Sequence, residues 1–230
     1  MSPPSIVGGE ITRSVANQVE RRVIRVAARR DLTGPDVYGA LLEPAAHTKP
    51  MPAIVGIGGS GGYASEEGVG WRDTERHLAA QGFAVLALCY FACTGRPAEL
   101  REIPIEYAQS AVAYLASLPE VDHSNINVWG MSRGGELALL TGAYSTNVRA
   151  VIAFYSAPYA FPACCTAEAA TDCAWTRKSA CLPYDMRIPV EQIQGPVLLM
   201  AGQYDEMWPV SYSQQISEEL DNAKHPHSLT

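Results

Sequence analysis

The sequence predicts an α/β protein whose mostly parallel sheet is covered by helices on both faces. Two observations lead to this fold class. Short apolar runs of strand length alternate with segments of helical periodicity along most of the chain. The 230 residues, 47% of them hydrophobic, show no internal repeat or linker and suffice for one sizeable core. We therefore expect residues 1–230 to form a single domain.

The first elements form an antiparallel pair of strands. Val19–Ala28 is rich in Val, Ile and Arg, and Val37–Leu42 follows a turn at Thr33–Asp36. The pattern then changes to buried strands separated by a helix. These elements are the strand Ala53–Ile57, the helix Trp71–Gln81 and the strand Phe83–Tyr90.

The second half of the chain continues the alternation. Pro104 suits the first turn of a helix, and apolar residues recur after it at three- and four-residue steps through Ser117. The next elements are a strand ending at Trp129, a helix over Glu136–Tyr144, strands over Val148–Tyr155 and Pro196–Ala201, and a helix over Ser211–Asp221. We expect the strand after these to be cut short at Thr230, so that the last strand and helix are missing. Sheets of this kind bind ligands at the carboxyl ends of their strands.

Composition and charge exclude several classes of protein. A charged share of 18% with 47% hydrophobic residues excludes intrinsic disorder. Lys and Arg number 17 against 24 Asp and Glu, for a net charge of -7, and no basic block is present, so we expect no nucleic-acid partner. No secretion-signal pattern and no apolar run of about 18 residues occur, which predicts a cytoplasmic protein without a membrane span. We expect no metal and no cofactor.

The six cysteines contain no C-x-x-C pair. Cys89 and Cys93 stand apart from a group of four, Cys164, Cys165, Cys173 and Cys181. Without an export signal we expect reduced thiols. The alternative is that the group of four staples a surface insertion. Zinc is disfavoured because the spacings do not suit it.

A candidate nucleophile lies where a predicted strand meets a helix. Gly130-Met131-Ser132-Arg133-Gly134 matches the G-x-S-x-G pattern in that context. Such a turn is so tight that neighbouring side chains must be absent, and it presents the Ser132 hydroxyl at a helix N-terminus, which favours a developing oxyanion. The alternative is a glycine-rich helix start with a capping serine.

Donors for the oxyanion are expected from two places. One is the glycine-rich loop at residues 58–62, where the backbone amides of Ser60 or Gly61 are the candidates. The other is the backbone amide of Arg133, which follows the serine. The loop lacks the spacing of nucleotide-binding motifs, so phosphate binding there is the weaker alternative.

The acid and the base should follow the serine in the chain. Asp205 comes directly after an apolar strand and is the best acid, with Glu206 as its nearest competitor and a turn carboxylate as the alternative reading. Only His225 and His227 lie beyond Asp205. Both come too early to follow the next strand, and we expect exposed loop histidines there. The remaining histidines precede the serine and are predicted on surface loops or helices; they are His47, His77 and His123.

Five blocks of sequence resemble one known family in order. The chain is similar to the catalytic C-terminal domain of α/β-hydrolases of the acyl-CoA thioester hydrolase and bile acid-CoA:amino acid N-acyltransferase family. The resemblance implies Ser132 as nucleophile, Asp205 as triad acid, and a histidine in a Tyr-Pro-Gly-x-Gly-His-like segment beyond Thr230. The matching blocks are Gly82–Phe91, Ile105–Tyr107, Gly130–Leu139, Ile188–Glu191 and Gly202–Trp208.

Two departures from that family matter. About fifty residues precede the glycine-rich loop, too few for the β-sandwich domain of the eukaryotic members. Pro158–Asp185 holds the clustered cysteines and does not match, so we expect an insertion that covers the site as a lid. The expected function is hydrolysis of a small-molecule acyl-CoA-type thioester through an acyl-enzyme. A carboxylesterase or dienelactone-hydrolase-like esterase, and a catalytically impaired scaffold, are the alternatives; the oligomeric state is not predicted.

Overall fold

The structure, a computed structural model, describes residues 11–12, 19–26, 37–46, 50–62, 73–93, 95–164 and 172–230. The turn Thr33–Asp36, His47 and Cys165 lie outside the described residues. The described strands are β1 (Ile11–Thr12), β2 (Val19–Val26), β3 (Val37–Pro44), β4 (Met51–Ile57), β5 (Ala84–Leu88), β6 (Ile103–Pro104), β7 (Val121–Met131), β8 (Ala150–Phe154), β9 (Trp175–Arg177), β10 (Ala180–Cys181), β11 (Val197–Met200) and β12 (His227–Leu229). The helices are α1 (Asp73–Ala80), α2 (Glu106–Ala116), α3 (Arg133–Ala143) and α4 (Val210–Asn222).

Nine of the described strands form one sheet in the order β1-β2-β3-β5-β4-β7-β8-β11-β12. The first three strands and the β3–β5 pair are antiparallel. From β5 onward every neighbouring pair is parallel. The predicted antiparallel entry and mostly parallel sheet are confirmed, and so is the order of the helices between the strands.

Helices cover both faces of this sheet. Side chains of a strand alternate between faces, and in β3 Leu41 belongs to one buried cluster while Ala40 and Leu42 belong to another. The cluster with Leu41 also contains the apolar residues of α2 and α3. The cluster on the other face includes Ala79 of α1. The α/β class therefore follows from strands that are apolar on both sides.

The prediction that the last strand is missing is wrong. β12 pairs with β11 in parallel, Val197 opposite His227 and Leu199 opposite Leu229. The backbone amide of Thr230 then donates to the Leu199 carbonyl at 3.0 Å. The sequence His-Ser-Leu is too short and too polar to be recognised as a buried strand, and only its pairing with β11 defines it.

The predicted insertion contributes two strands to a second, smaller sheet. β9 and β10 form an antiparallel hairpin, and β9 pairs in parallel with β6, outside the main sheet. A disulfide joins Cys173 to Cys181 across the hairpin, and another joins Cys89 to Cys93 after β5. The expectation of reduced thiols is therefore wrong for these four. Their Cα atoms lie 5.8 and 6.6 Å apart, within the range that a disulfide spans.

Among the described helices none is long and apolar enough to cross a membrane. α4, with 13 residues, is well short of the roughly 20 that a bilayer requires.

Candidate active site

Ser132 occupies a strained turn between β7 and α3. Its backbone has φ 58° and ψ −124°, a conformation that residues with a side chain rarely adopt. The Ser132 amide donates to the Phe154 carbonyl of β8 at 2.8 Å, and the Ser132 carbonyl accepts from the Gly135 amide at 2.8 Å. These bonds fix the strained backbone between sheet and helix, and the residue is half-buried at the carboxyl edge of the sheet.

Two glycines flank the serine because the turn leaves no room for a β-carbon. A Cβ on Gly130 would overlap the carbonyl of Gly134, one turn ahead. A Cβ on Gly134 would overlap the carbonyls of Gly58 and Ile57 at the end of β4. The first turn of α3 is thus packed directly on the start of the glycine-rich loop. The G-x-S-x-G spacing is a steric requirement of this packing.

Gly134→Ala is expected to lower the free energy of unfolding by roughly 3 kcal/mol or more, because the overlapping atoms are backbone and cannot rotate away. Urea denaturation of the purified variant measures this loss. Gly61→Ala is the matched control, since a Cβ at Gly61 meets nothing within 4 Å. Equal midpoints for the two variants would contradict the packing described here.

The glycine-rich loop approaches the serine through Gly59. A Cβ placed on Gly59 would lie 3.2 Å from Ser132 Cβ and 3.6 Å from Ser132 Oγ. Ser60 follows directly and is half-buried, whereas Gly61 is exposed. Ser60 is therefore more shielded from solvent than Gly61. The sequence pattern did not distinguish Gly59 from the other glycines of the loop.

Arg133 is the first residue of α3. The first amides of a helix have no carbonyl partner within the helix, and the backbone bonds of the described residues give the Arg133 amide none elsewhere. That amide is therefore available on the helix side of Ser132.

Asp205 lies in the turn after β11, at the same edge as Ser132. Met200, which ends β11, is in register with Phe154 of β8, and Phe154 is in register with Met131. The strands that lead to the acid and to the serine are thus two strands apart, about 10 Å across the sheet.

The Asp205 carboxylate already organises its own turn. Its Oδ1 accepts from the amides of Met207 at 2.9 Å and Trp208 at 2.8 Å. Among the described hydrogen bonds of the Asp205 carboxylate only Oδ1 takes part, an arrangement that suits a turn carboxylate as well as the predicted acid. The competitor Glu206 is exposed.

The two histidines beyond Asp205 lie at the opposite edge of the sheet. His227 is level with Val197, the first residue of β11, about 10 Å along the strand from the carboxyl edge. Its Nε2 is 2.8 Å from Ser217 Oγ, and its Nδ1 is 2.9 Å from the His225 carbonyl. His225 Nε2 lies 2.6 Å from the Ile193 carbonyl.

These two histidines were expected on an exposed loop, and that expectation fails for His227, whose side chain is 10% exposed. α4 ends at Asn222 and β12 begins at His227, so the connection between them is too short to form an exposed loop around His227. Of the other described histidines, His123 lies near the start of β7, far from Ser132 at its end, and His77 is in α1, on the face opposite α3. No described histidine is placed to take the proton of Ser132.

A buried ion pair connects the turn at Ser132 to the insertion. Arg133 Nη1 lies 3.1 Å from Glu136 Oε1, and both side chains are shielded from water. Arg133 Nη2 donates to the carbonyls of Phe161 at 3.0 Å and Pro162 at 2.9 Å. Glu136 Oε2 accepts from the Phe161 amide at 3.1 Å and from the Trp175 indole at 2.9 Å. The pair therefore binds the insertion at two places, at Phe161–Pro162 and at Trp175.

The insertion also contacts the turn of Asp205. The Phe161 ring packs edge-on against Trp208, with centroids 5.3 Å apart. Trp208 is held by Asp205 through its amide. Phe161 thus lies between the first turn of α3 and the acid turn. None of these contacts was visible in the sequence, since Glu136 and Trp175 are 39 residues apart.

Burial raises the pKa of Glu136 to about 7. The cost of holding a charge away from water outweighs the opposing effects of Arg133, the Trp175 indole and the Phe161 amide. The same burial lowers the pKa of the Arg133 guanidinium, against the attraction of Glu136.

Glu136→Gln is expected to gain stability relative to the wild type as the pH rises from 5 to 7. The folded-state pKa of about 7 lies above the ordinary value of 4.5, so the folded wild type retains a proton that the unfolded chain releases. The stability that this group contributes to the wild type therefore falls as the pH rises through that window. The loss is about 1.4 kcal/mol for each pH unit between the unfolded-state and folded-state pKa values. Urea denaturation at three pH values measures it.

Glu191→Gln, at an exposed position, serves as the control for that experiment. Parallel pH profiles for the wild type and Glu136→Gln would show that Glu136 has no raised pKa.

The sheet order, the strained serine and the helices on both faces define an α/β-hydrolase fold. The chain belongs to the dienelactone hydrolase family, whose model matches residues 37–230. A solved acetyl xylan esterase from Paenibacillus sp. R4 has the same fold, with a TM-score of 0.69 at 17% identity over 100% of this chain and 82% of that one.

Curated relatives are acyl-coenzyme A thioesterases, which agrees with the resemblance in the sequence. Peroxisomal succinyl-coenzyme A thioesterase of Mus musculus is 27% identical over 192 residues, 74% of this chain and 44% of that protein. Acyl-coenzyme A thioesterase 6 of Homo sapiens is 28% identical over 225 residues, 88% of this chain and 52% of that protein. The chain spans about half the length of these relatives.

Proposed function

We propose that the protein is a serine hydrolase that cleaves a small-molecule acyl thioester of the acyl-CoA type. The observation that carries this proposal is the strained Ser132, presented at a helix N-terminus beside Gly59 of the glycine-rich loop. An oxygen nucleophile flanked by backbone amides suits acyl transfer. The thioester preference is supported by the acyl-coenzyme A thioesterase relatives.

The proposed reaction has two halves. Ser132 Oγ attacks the thioester carbonyl while a histidine accepts its proton, and the oxyanion is bound by the amides of Arg133 and Ser60, with Gly61 as the alternative in the loop. The tetrahedral intermediate collapses and the thiol leaves with the proton. The histidine then takes a proton from water, which attacks the acyl-enzyme carbonyl, and the acid is released as the proton passes to Ser132 Oγ. Asp205 Oδ2 orients the histidine. The family resemblance supports a histidine of a Tyr-Pro-Gly-x-Gly-His-like segment in this role.

We also propose that the insertion Pro158–Asp185 covers the site as a lid and sets substrate choice. This proposal is supported by two hydrogen bonds near Ser132. Arg133 donates to the Phe161 carbonyl, and Glu136 accepts from the Phe161 amide. The domain is proposed to be the single unit 1–230, with no nucleic-acid partner. A cytoplasmic location stays a prediction, and the two described disulfides weigh against it, since such bonds persist mainly in oxidising compartments.

A fluorophosphonate probe is expected to add to the wild-type protein once, and Ser132→Ala is expected to abolish the addition. Asp205→Asn should lower kcat on an acyl-CoA substrate by about 10³- to 10⁴-fold, because the base loses its orienting charge. Glu206→Gln is the matched neighbour and should leave kcat unchanged. Intact-mass spectrometry follows the labelling. Addition that survives Ser132→Ala would remove the serine from its role, and a large loss in Glu206→Gln alone would reassign the acid.

A panel of acyl-CoA thioesters and matched p-nitrophenyl esters distinguishes the thioesterase from the alternative, a carboxylesterase or dienelactone-hydrolase-like esterase. We expect the higher kcat/KM on the thioesters. The family match supports the alternative, which would be favoured by turnover of short esters without turnover of any thioester. Turnover of neither class, with no fluorophosphonate addition, would indicate the impaired scaffold.

A further inference from the structure

The hydroxyl of Tyr90 contacts the glycine-rich loop at its Gly58 and Gly59 carbonyls. Tyr90 follows β5 and is 1% exposed. Its O–H donates to the Gly58 carbonyl at 2.6 Å, and its oxygen lies 3.2 Å from the Gly59 carbonyl. One side chain therefore binds two successive peptide groups of the loop through their carbonyl oxygens.

A trans peptide group is planar, with its C=O and N–H pointing in opposite directions. The Gly58 carbonyl shares a peptide plane with the Gly59 amide, and the Gly59 carbonyl shares one with the Ser60 amide. A hydroxyl that binds both carbonyls therefore directs both amides away from Tyr90. Gly59 itself lies against Ser132, since a Cβ placed on Gly59 would be 3.6 Å from Ser132 Oγ.

The loop needs such an anchor because its residues are mostly glycine. Glycine rotates its peptide planes with little steric cost, so a run of glycines does not by itself keep an amide pointed at a ligand. Within the described loop, the Gly59 carbonyl has one further donor, the Gly62 amide at 3.1 Å. Tyr90 is the side chain that adds a second.

Tyr90 is itself firmly held. Its ring packs against Phe91, with centroids 4.9 Å apart, and against Trp175 of the insertion at 6.1 Å. The disulfide Cys89–Cys93 closes the short segment that contains it. The hydroxyl is thus a fixed donor, not one that follows the loop.

We propose that Tyr90 is a positioning residue that fixes the direction of the Gly59 and Ser60 amides toward the oxyanion. This inference rests on the proposed function for its catalytic consequence. Tyr90→Phe removes only the hydroxyl and keeps the ring contacts. Tyr144→Phe is the matched control, because the Tyr144 ring packs under Arg177, outside the loop.

In Tyr90→Phe we expect kcat to fall by about 10- to 100-fold with KM changed less than about twofold, because a misdirected amide weakens the transition state more than the bound substrate. Affinity for an alkyl boronic acid, which forms a tetrahedral adduct with the serine, should fall by a similar factor. Each rate is divided by the concentration of active sites, which titration with the fluorophosphonate measures. A variant that is only less stable then shows a normal kcat per active site. Amide NMR shifts of Gly59 and Ser60 should change in Tyr90→Phe and not in Tyr144→Phe.

A wild-type kcat per titrated site and wild-type boronate affinity in Tyr90→Phe would overturn the inference. A loss of the same size in Tyr144→Phe would overturn it as well. If the wild type neither reacts with the fluorophosphonate nor cleaves an acyl substrate, the proposed function fails. The NMR comparison then decides alone: unchanged Gly59 and Ser60 shifts show that Tyr90 does not set the loop, and shifts in Tyr90→Phe only show that it does.

Discussion

The close approach of α3 to the end of β4 is the constraint on which the site depends. Backbone atoms of Gly134 meet the carbonyls of Ile57 and Gly58 with no room for a side chain between them. That contact brings the glycine-rich loop next to Ser132. It also requires the positive φ of Ser132, because the chain must reverse within one residue to enter the helix.

Residues of the insertion contact both sides of this packing. Arg133 and Glu136 bind the Phe161 backbone and the Trp175 indole on the helix side. The Trp175 ring packs against Tyr90, which binds the loop on the other side. A segment that the main sheet does not need for its own closure thus supports both flanks of the serine, and the disulfide Cys173–Cys181 closes the hairpin that carries Trp175.

The sequence predicted what short-range patterns determine. Apolar runs and helical periodicity predicted the main strands and helices in chain order up to β11, and the G-x-S-x-G turn identified the strained residue at Ser132. Contacts between distant segments were not predictable, because nothing local marks Glu136 as the partner of Trp175. The cysteine pairs were missed for a different reason: redox compartment was inferred from the absence of a signal, whereas the hairpin of β9 and β10 determines which cysteines meet.

The direction of β12 in the sheet decides which histidines can assist Ser132. In a parallel sheet all carboxyl ends share one edge, and Ser132 follows the carboxyl end of β7. His225 and His227 precede or begin β12 and so belong to the amino edge, where their ring nitrogens contact carbonyls and Ser217. Proximity in sequence to Asp205 is therefore no guide to proximity in space. The Ala201 amide, which donates to the Thr230 carbonyl at 3.0 Å, marks where β12 reaches the edge that bears the acid and the serine.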